Sequence, residues 1–150
     1  MAMKLLIADD HEVVRTGLVA LLEGDEVQVV GQAASGAEAV HLAQQLKPEV
    51  VLLDIRMSDG DGLTALAEIR ELVPETKVVV LSTYDNPTYV ARAMALGASD
   101  YLLKGASRSE LMESLQAAIA GDESKRSEVA RRVTGAMGKV RTQVDEDVSL

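Results

Sequence analysis

Short runs of aliphatic and β-branched residues alternate along the chain with longer stretches in which apolar residues recur every three or four positions. Three of the short runs are continuously apolar, which is typical of strands buried on both faces of a parallel sheet. The longer stretches have the spacing of amphipathic helices. The five predicted strands are Lys4–Ala8, Val27–Ala33, Val50–Leu53, Lys77–Leu81 and Asp100–Leu103.

Capping signals mark the ends of several intervening helices. Ser35 and Ser107 each stand three residues before a glutamate, the spacing of a capping box. Asn86 followed by Pro87 predicts another helix start, and Gly97 its end. Such an alternation requires parallel strands joined by right-handed crossovers, with helices on both sheet faces. About 120 residues are too few for an eight-stranded barrel, so the sequence predicts an α/β fold with an open, doubly wound, five-stranded parallel sheet.

Polar side chains follow four of the five predicted strands. Because the functional crevice of an open parallel sheet lies beyond the carboxyl ends of its strands, we expect these side chains to share one rim. Each has a simpler explanation when taken singly, as a turn former, a helix cap or a solvated loop residue. The residues are Asp9 and Asp10 after the first strand, Asp54 after the third, Ser82 and Thr83 at the fourth, and Lys104 after the fifth.

Three clustered carboxylates favour a bound cation. At 4 Å and an effective dielectric of ~20, each pair of like charges repels by about 4 kcal/mol. Oxygen ligands in an open cleft favour Mg²⁺, and we interpret His11 as a solvent-facing neighbour because this ion does not favour imidazole. A carboxylate beside Mg²⁺ and a lysine is typical of a phosphoryl site, in which the ionised carboxylate attacks phosphorus without a general base.

Charge and composition exclude several other classes of protein. The net charge is −9 and the only aromatic residues are three tyrosines, which argues against nonspecific nucleic-acid binding and base stacking. Cysteine is absent, which excludes disulfides and favours the cytoplasm. No apolar run is long enough to span a membrane, and the first residues do not have the pattern of a signal peptide. Glycine-rich nucleotide-binding motifs are missing as well.

The last thirty residues differ from the rest, because their six acidic and six basic side chains cancel, whereas residues 1–120 carry the whole net charge of −9. The simple interpretation of their apolar stripe is an ordinary amphipathic helix of about five turns. The alternative is a linker helix that packs on a partner subunit or an effector domain in a state-dependent way. Gly135 and Gly138 would weaken it by about 1 kcal/mol each. The stripe consists of Val129, Val133, Met137, Val140 and Val144.

Five motifs in this order resemble the receiver domains of two-component response regulators, most of all those of the NarL/FixJ (LuxR-type) transcriptional regulators. The motifs cover about residues 4–120, and their combination at the ends of the predicted strands is far more specific than any one of them. They are Leu5–His11, Val51–Met57, Gly60–Gly62, Val79–Thr83 and Gly97–Lys104.

The resemblance implies a flavodoxin-like (βα)5 receiver domain at residues 3–121, followed by a linker helix and acidic tail at residues 122–150. It implies that Asp54 is the phosphoacceptor. It also implies that Asp9, Asp10, Asp54 and the backbone carbonyl of Arg56 hold Mg²⁺.

The remaining site residues take their roles from the same resemblance. Lys104 would contact the phosphoryl group, Ser82 would reorient to bond it, and Thr83 would border its access. Tyr101 would move inward as the switch aromatic. Ser58 stands where the family usually has proline, and this would leave its loop more mobile. Gly105 also stands where many receivers have proline, but the NarL/FixJ group commonly lacks it.

We therefore expect a signalling switch that accepts a phosphoryl group from a sensor histidine kinase and dimerises on phosphorylation. It would not be an enzyme beyond its own Mg²⁺-dependent phosphorylation and dephosphorylation. DNA would be bound only through a helix-turn-helix domain absent from these residues, which we interpret as the receiver part of a longer regulator. Two alternatives stay open: a Mg²⁺-dependent phosphohydrolase, although Arg56 replaces the second aspartate of haloacid-dehalogenase phosphatases, and a docking module that works without phosphorylation.

Overall fold

Five parallel strands form the central sheet of the computed structural model, which describes residues 2–57 and 60–133. The spatial order is β2-β1-β3-β4-β5, and each neighbouring pair is parallel. The chain therefore leaves β1 for one side of the sheet and then crosses to the other side, which confirms the predicted doubly wound topology. The strands are β1 (Met3–Ala8), β2 (Val27–Ala33), β3 (Val50–Leu53), β4 (Lys77–Ser82) and β5 (Asp100–Leu103).

Five α-helices cover the two faces of this sheet. One apolar core joins β1 and β3 to the first and fifth helices, and the other joins the sheet to the second, third and fourth. All four residues of β3 are buried, as the continuous apolar run predicts for a central strand. The helices are α1 (Glu12–Leu22), α2 (Gly36–Leu46), α3 (Gly62–Leu72), α4 (Pro87–Ala95) and α5 (Arg108–Ala120).

The predicted capping residues begin three of these helices. Ser107 and Glu110 form a complete capping box at α5. At α2, the Ser35 hydroxyl accepts the N–H of Glu38, which is the first half of such a box. Asn86 caps α4 through its side chain, and Pro87 occupies the first turn.

Two short elements lie outside the predicted pattern. Arg56–Met57 pairs antiparallel with Gly60–Asp61 just after β3, and Glu123–Lys125 forms one 3₁₀ turn after α5.

The beginning of the predicted tail helix is present at residues 128–133. Its later stripe positions, Met137, Val140 and Val144, lie outside the described residues, as do the predicted acidic tail and Ser58. In the described part of the chain, no helix is long and apolar enough to cross a bilayer.

Candidate functional site

Asp9 and Asp54 lie side by side because β1 and β3 end at matching positions. Ala8 is paired with Leu53 in the parallel ladder, and the N–H of Asp54 donates to the carbonyl of Ala8 over 2.9 Å. Asp9 is fixed from the other side, since its N–H donates to the carbonyl of Ala33 at the end of β2 (3.0 Å). Both carboxylates are buried, at 2 and 4% exposure.

Lys104 joins these two carboxylates. Its backbone N–H donates to the carbonyl of Ser82 over 2.7 Å, which holds the end of β5 against β4. From there its Nζ lies 2.8 Å from Oδ2 of Asp9 and 3.2 Å from Oδ2 of Asp54. The structure thus brings the predicted ammonium to the predicted carboxylates, and one cation neutralises part of the charge of both.

The loop after β3 holds the other oxygen of the Asp54 carboxylate. The N–H of Arg56 donates to Oδ1 of Asp54 over 3.2 Å. The start of α3 is pressed against this loop: the N–H of Gly62 donates to the carbonyl of Ile55 over 2.6 Å. A Cβ at Gly62 would lie 2.6 Å from the carbonyl oxygens of Asp54 and Ile55, so only glycine fits there.

Asp10 and His11 complete a group of potential metal ligands. One ligand atom from each of Asp9, Asp10, His11 and Asp54 can be chosen so that all lie within 4.8 Å of one another. His11 is 67% exposed, but its Nδ1 lies 3.0 Å from Oδ1 of Asp10 and 3.3 Å from Oδ1 of Asp9. The imidazole therefore contacts the acidic cluster, a contact that the sequence interpretation of His11 missed. The three carboxylates have the oxygen chemistry that suits Mg²⁺.

Burial and charge shift the ionisation of these groups in different directions. For Asp9, burial disfavours the charged form, but hydrogen bonds from Lys104 and His11 outweigh it and lower its pKa. For Asp54, burial is the largest effect and the charge of Asp9 adds to it, so its pKa is raised despite the Arg56 N–H and Lys104. Burial opposes the charge of Lys104, yet the two carboxylates raise its pKa overall.

Ser82 and Tyr101 lie beneath the rim, whereas Thr83 lies on it. Ser82 and Tyr101 are both fully buried, and Thr83 is exposed. The Ser82 hydroxyl accepts the N–H of Tyr84 over 3.1 Å. Burial, above all, raises the pKa of Tyr101, and the charge of Asp54 acts in the same direction, whereas the hydrogen bond between the Ser82 hydroxyl and the Tyr101 side chain acts to lower the pKa of that phenol.

The Arg56 side chain forms a contact that the sequence analysis did not find. Its guanidinium carbon lies 4.6 Å from the ring centroid of Tyr84 and 5.6 Å from that of Tyr89. These cation–π contacts connect the β3–α3 loop to the β4–α4 region. The chain has only three aromatic side chains, and two of them, Tyr84 and Tyr89, are five residues apart in the sequence. That spacing was the available signal for an aromatic contact in this region.

Known proteins with similar sequences are response regulators. The family model for the response regulator receiver domain matches residues 5–116. The chain is 37% identical over 140 residues to the response regulator protein VraR of Staphylococcus epidermidis, covering 93% of this chain and 67% of that protein. It is 37% identical over 131 residues to the transcriptional regulatory protein LiaR of Bacillus subtilis, covering 87% of this chain and 62% of that protein.

Solved structures agree with these sequence matches. The signal receiver domain of the putative response regulator NarL from Mycobacterium tuberculosis has a TM-score of 0.75 at 36% identity, covering 80% of this chain and 98% of that one. The response regulator domain of Thermotoga maritima CheB has a TM-score of 0.74 at 28% identity, with the same coverage. The match covers these two domains almost completely. By contrast, the chain spans only 67% of VraR, 62% of LiaR and 61% of the response regulator GacA of Pseudomonas aeruginosa.

Proposed function

The chain belongs to the response regulator receiver family, and from this premise we propose that Asp54 accepts a phosphoryl group from a sensor histidine kinase. The observation that carries the proposal is the position of the Asp54 carboxylate. It ends the central strand, is 4% exposed, and lies 3.2 Å from the Lys104 ammonium beside two further aspartates. A carboxylate held in this way is a nucleophile with a cation ready to meet the incoming phosphoryl oxygens.

The acidic cluster supports Mg²⁺ as the cofactor. Asp9, Asp10 and Asp54 would hold the ion together with the backbone carbonyl of Arg56. When bound, Mg²⁺ would offset the negative charge of the phosphoryl oxygens and orient the group for in-line transfer. The fit rests on the chemistry of the ligands, because three carboxylates have oxygen atoms within 4.8 Å of one another. Carboxylate oxygens are the ligands that this ion prefers.

The transfer itself needs few groups from the protein. A carboxylate oxygen of Asp54 attacks phosphorus, the O–P bond of an acyl phosphate forms, and the P–N bond of a donor phosphohistidine breaks, leaving neutral imidazole once a proton is taken up. Lys104 exchanges its contact with Asp54 for a phosphoryl oxygen while it keeps Asp9 as a partner. Thr83, which is exposed at the rim, borders the path by which donor and water reach the group.

Ser82 and Tyr101 would convert this covalent change into a conformational one. The Ser82 hydroxyl has a proton to donate, and drawing it toward the phosphoryl group would change the packing beneath the rim. Tyr101 fills this region as a fully buried ring. Two discrete arrangements of such a pair form the bistable element that a switch requires.

The output of the switch would be a homodimer that regulates transcription in a longer protein. The chain spans about two thirds of relatives whose names describe response and transcriptional regulators. We infer that a helix-turn-helix domain outside these residues binds DNA, and that the protein works in the cytoplasm. A symmetric dimer would place two such domains on a two-fold DNA site.

The phosphohydrolase alternative finds less support. An enzyme of that kind needs a general acid near the nucleophile, and the position two residues after Asp54 is Arg56, whose guanidinium lies over Tyr84. The docking alternative requires dimerisation that is independent of Asp54. A switch accumulates one stable phosphoryl adduct, whereas a phosphohydrolase releases phosphate repeatedly. A docking module dimerises equally well with and without the adduct.

The test is the intact mass of the chain after incubation with acetyl phosphate and Mg²⁺. We expect one phosphoryl adduct that disappears in Asp54→Asn and on addition of EDTA, while the exposed-site control Asp25→Asn keeps it. An undiminished adduct in Asp54→Asn would contradict the acceptor assignment. Repeated turnover of added phosphomonoesters would favour the phosphohydrolase instead.

A further inference from the structure

The segment after α5 turns back and lies along β5, the outer strand on its side of the sheet. The Arg126 side chain donates through Nε to the carbonyl of Ser99 over 3.1 Å, and the Ser127 hydroxyl donates to the carbonyl of Tyr101 over 2.6 Å. The same hydroxyl accepts the N–H of Ala130 over 3.2 Å. Ser127 therefore caps the helix at residues 128–133 and ties it to the strand that carries Tyr101.

The Asp100 carboxylate forms the second half of this attachment. It is only 3% exposed. The N–H of Ser127 donates to both of its oxygens, over 2.9 and 3.1 Å, the Ser114 hydroxyl of α5 donates over 2.7 Å, and the N–H of Tyr101 donates over 2.8 Å. A buried carboxylate needs such donors, because an unmet acceptor in the interior is costly. Removal of Ser127 from its place would take one of them away.

The start of this helix is also packed into the core. Ala130 is fully buried in the apolar cluster that contains Tyr101, and Val129 and Val133 pack against that cluster. The cluster includes Val90 of α4. The helix is therefore held on its own receiver domain by apolar packing as well as by the polar contacts of Ser127.

We infer that Asp100 and Ser127 form a latch, defined here as the contacts between these two residues and β5, and that phosphorylation tightens it. The inference rests on the proposed function of Asp54. Tyr101 is the shared element: its backbone carbonyl is bound by Ser127, and its ring belongs to the cluster that buries Ala130. The state of the switch is thereby transmitted to the first turn of the helix that leads out of the domain.

The direction of the coupling follows from the space around Tyr101. A cavity of about 350 Å³ lies between β5 and the helix, and its lining includes Tyr101, Ser127 and Val129. The docked helix shares the apolar cluster of the buried Tyr101 ring through Ala130 and Val129, so a ring that left this cluster would lose packing against the helix, and docking favours the buried ring. By reciprocity, a phosphoryl group that favours the buried ring favours docking by the same factor.

Amide hydrogen exchange of the full chain tests the latch, with beryllofluoride and Mg²⁺ as the phosphoryl mimic. The reporters are the N–H groups of Ser127, Ala130 and Arg131, which donate to Asp100, to the Ser127 hydroxyl and to the Ser127 carbonyl. We expect the mimic to slow their exchange about fivefold or more, the lower end of typical coupling between two sites. Ser127→Ala should speed the exchange of Ala130 and Arg131 about fivefold, as expected for one net hydrogen bond.

The same variant gives an independent readout at the phosphorylation site. Ser127→Ala should bind beryllofluoride about two- to fivefold more weakly, because weaker docking no longer favours the buried Tyr101 ring. The matched control is Ser124→Ala in the same linker, where the Ser124 hydroxyl donates to the Asp122 carboxylate. This control should keep both the exchange rates and the affinity of the wild-type chain.

Failure of the latch and failure of the phosphoacceptor assignment give different results. A wild-type chain that does not bind beryllofluoride at Asp54 overturns the proposed function. Normal binding with unchanged exchange at the three reporters overturns the coupling. Wild-type exchange rates in Ser127→Ala overturn the anchoring role of Ser127. Asp100→Asn is the second variant, and it should speed exchange at the same three N–H groups because one carboxylate oxygen is lost.

Discussion

The Tyr101 hydroxyl donates a hydrogen bond of 2.5 Å to the backbone carbonyl of Tyr84. The N–H of Tyr84 in turn donates to the Ser82 hydroxyl over 3.1 Å. One loop residue therefore joins the hydroxyl that would meet the phosphoryl group to the ring that would respond to it. A displacement of the Ser82 hydroxyl acts on the N–H of Tyr84 and, through that residue, on its carbonyl contact with Tyr101, which gives the two-state change a contiguous physical path.

Ser82→Ala should accept a phosphoryl group yet respond poorly to it, because the hydroxyl that links the site to Tyr84 is gone. Tyr101→Phe should behave similarly, since it loses its hydrogen bond to the Tyr84 carbonyl. We would follow the NMR signals of the β4–α4 region on addition of beryllofluoride and expect shifts reduced at least about fivefold relative to the wild type, the low end of typical allosteric coupling. Tyr89→Phe is the matched control and should respond normally; a full response in Ser82→Ala would contradict the path.

Asp10→Asn should weaken Mg²⁺ binding about tenfold or more, equivalent to about 1.4 kcal/mol, because fewer negative charges remain to offset dehydration of the ion. Titration calorimetry of the unphosphorylated chain measures the affinity. Glu12→Gln removes an exposed carboxylate from the first turn of the following helix and serves as the charge-matched control. If both variants bound the ion equally well, Asp10 would not be a ligand.

Asp54→Asn should stabilise the metal-free chain at neutral pH. The pKa of Asp54 is raised in the folded state above its ordinary value of 3.8, first by burial. The folded chain therefore holds this proton more tightly than the unfolded chain, and stability from this group is lost as pH rises through the folded pKa. Chemical unfolding in EDTA at pH 7 and pH 4 should show a gain for Asp54→Asn that is larger at pH 7.

The sign of this effect has its own check. As pH falls through the folded pKa the carboxyl becomes protonated and differs little from the amide, so the two curves should converge. Asp25→Asn, at an exposed turn, should show no comparable dependence on pH. A variant that is less stable than the wild type at pH 7 would show that the Lys104 ion pair outweighs the burial of Asp54.

The phosphorylated chain should dimerise about 5- to 150-fold more tightly than the unphosphorylated chain, the usual range for a coupling of ~1–3 kcal/mol. Two surfaces are candidates for the dimer: the first and fifth helices, or the fourth helix with the fifth strand and fifth helix. The first and fifth helices are favoured here, because residues 126–133 already lie against β5 and the core beside α4. Sedimentation velocity with and without beryllofluoride measures the change. Neither form should bind DNA, given the net charge of −9.

Substitution distinguishes the two surfaces. Leu21 is 40% exposed on α1, and Leu21→Asp should abolish the dimer while leaving phosphorylation intact. Leu72, which is 52% exposed on α3, provides the matched control: Leu72→Asp should dimerise like the wild type. A dimer that survives Leu21→Asp would favour the surface of the fourth helix, fifth strand and fifth helix.

The strands and the rim of polar residues could be predicted because both depend on local pattern. Continuous apolar runs identify buried strands, and parallel strands bring their carboxyl ends together, which places Asp9, Asp54 and Lys104 on one edge. The bridging of both carboxylates by one ammonium depends on distances that no spacing encodes. The Arg56 contacts with Tyr84 and Tyr89 depend on how two separate loops approach each other, so they could not be predicted.

The tail shows the same limit. Its apolar stripe predicted a helix, and residues 128–133 are helical. Nothing in that periodicity indicated that Ser127 would bind the carbonyl of Tyr101, because a side chain bound to a distant backbone carbonyl leaves no periodic trace. The available signal was the acidic residue at the start of the predicted fifth strand. Asp100 would need hydrogen-bond donors if that strand were buried.

The returning segment also has a consequence for solubility. An outer strand presents backbone groups that can template the strand of another molecule, and natural proteins commonly cover or interrupt such edges. The carbonyls of Ser99, just before β5, and of Tyr101, within β5, are already engaged by the side chains of Arg126 and Ser127. A receiver shortened to residue 121 would leave these two carbonyls open to pairing with another strand, so it should self-associate in concentrated solution more readily than the full chain.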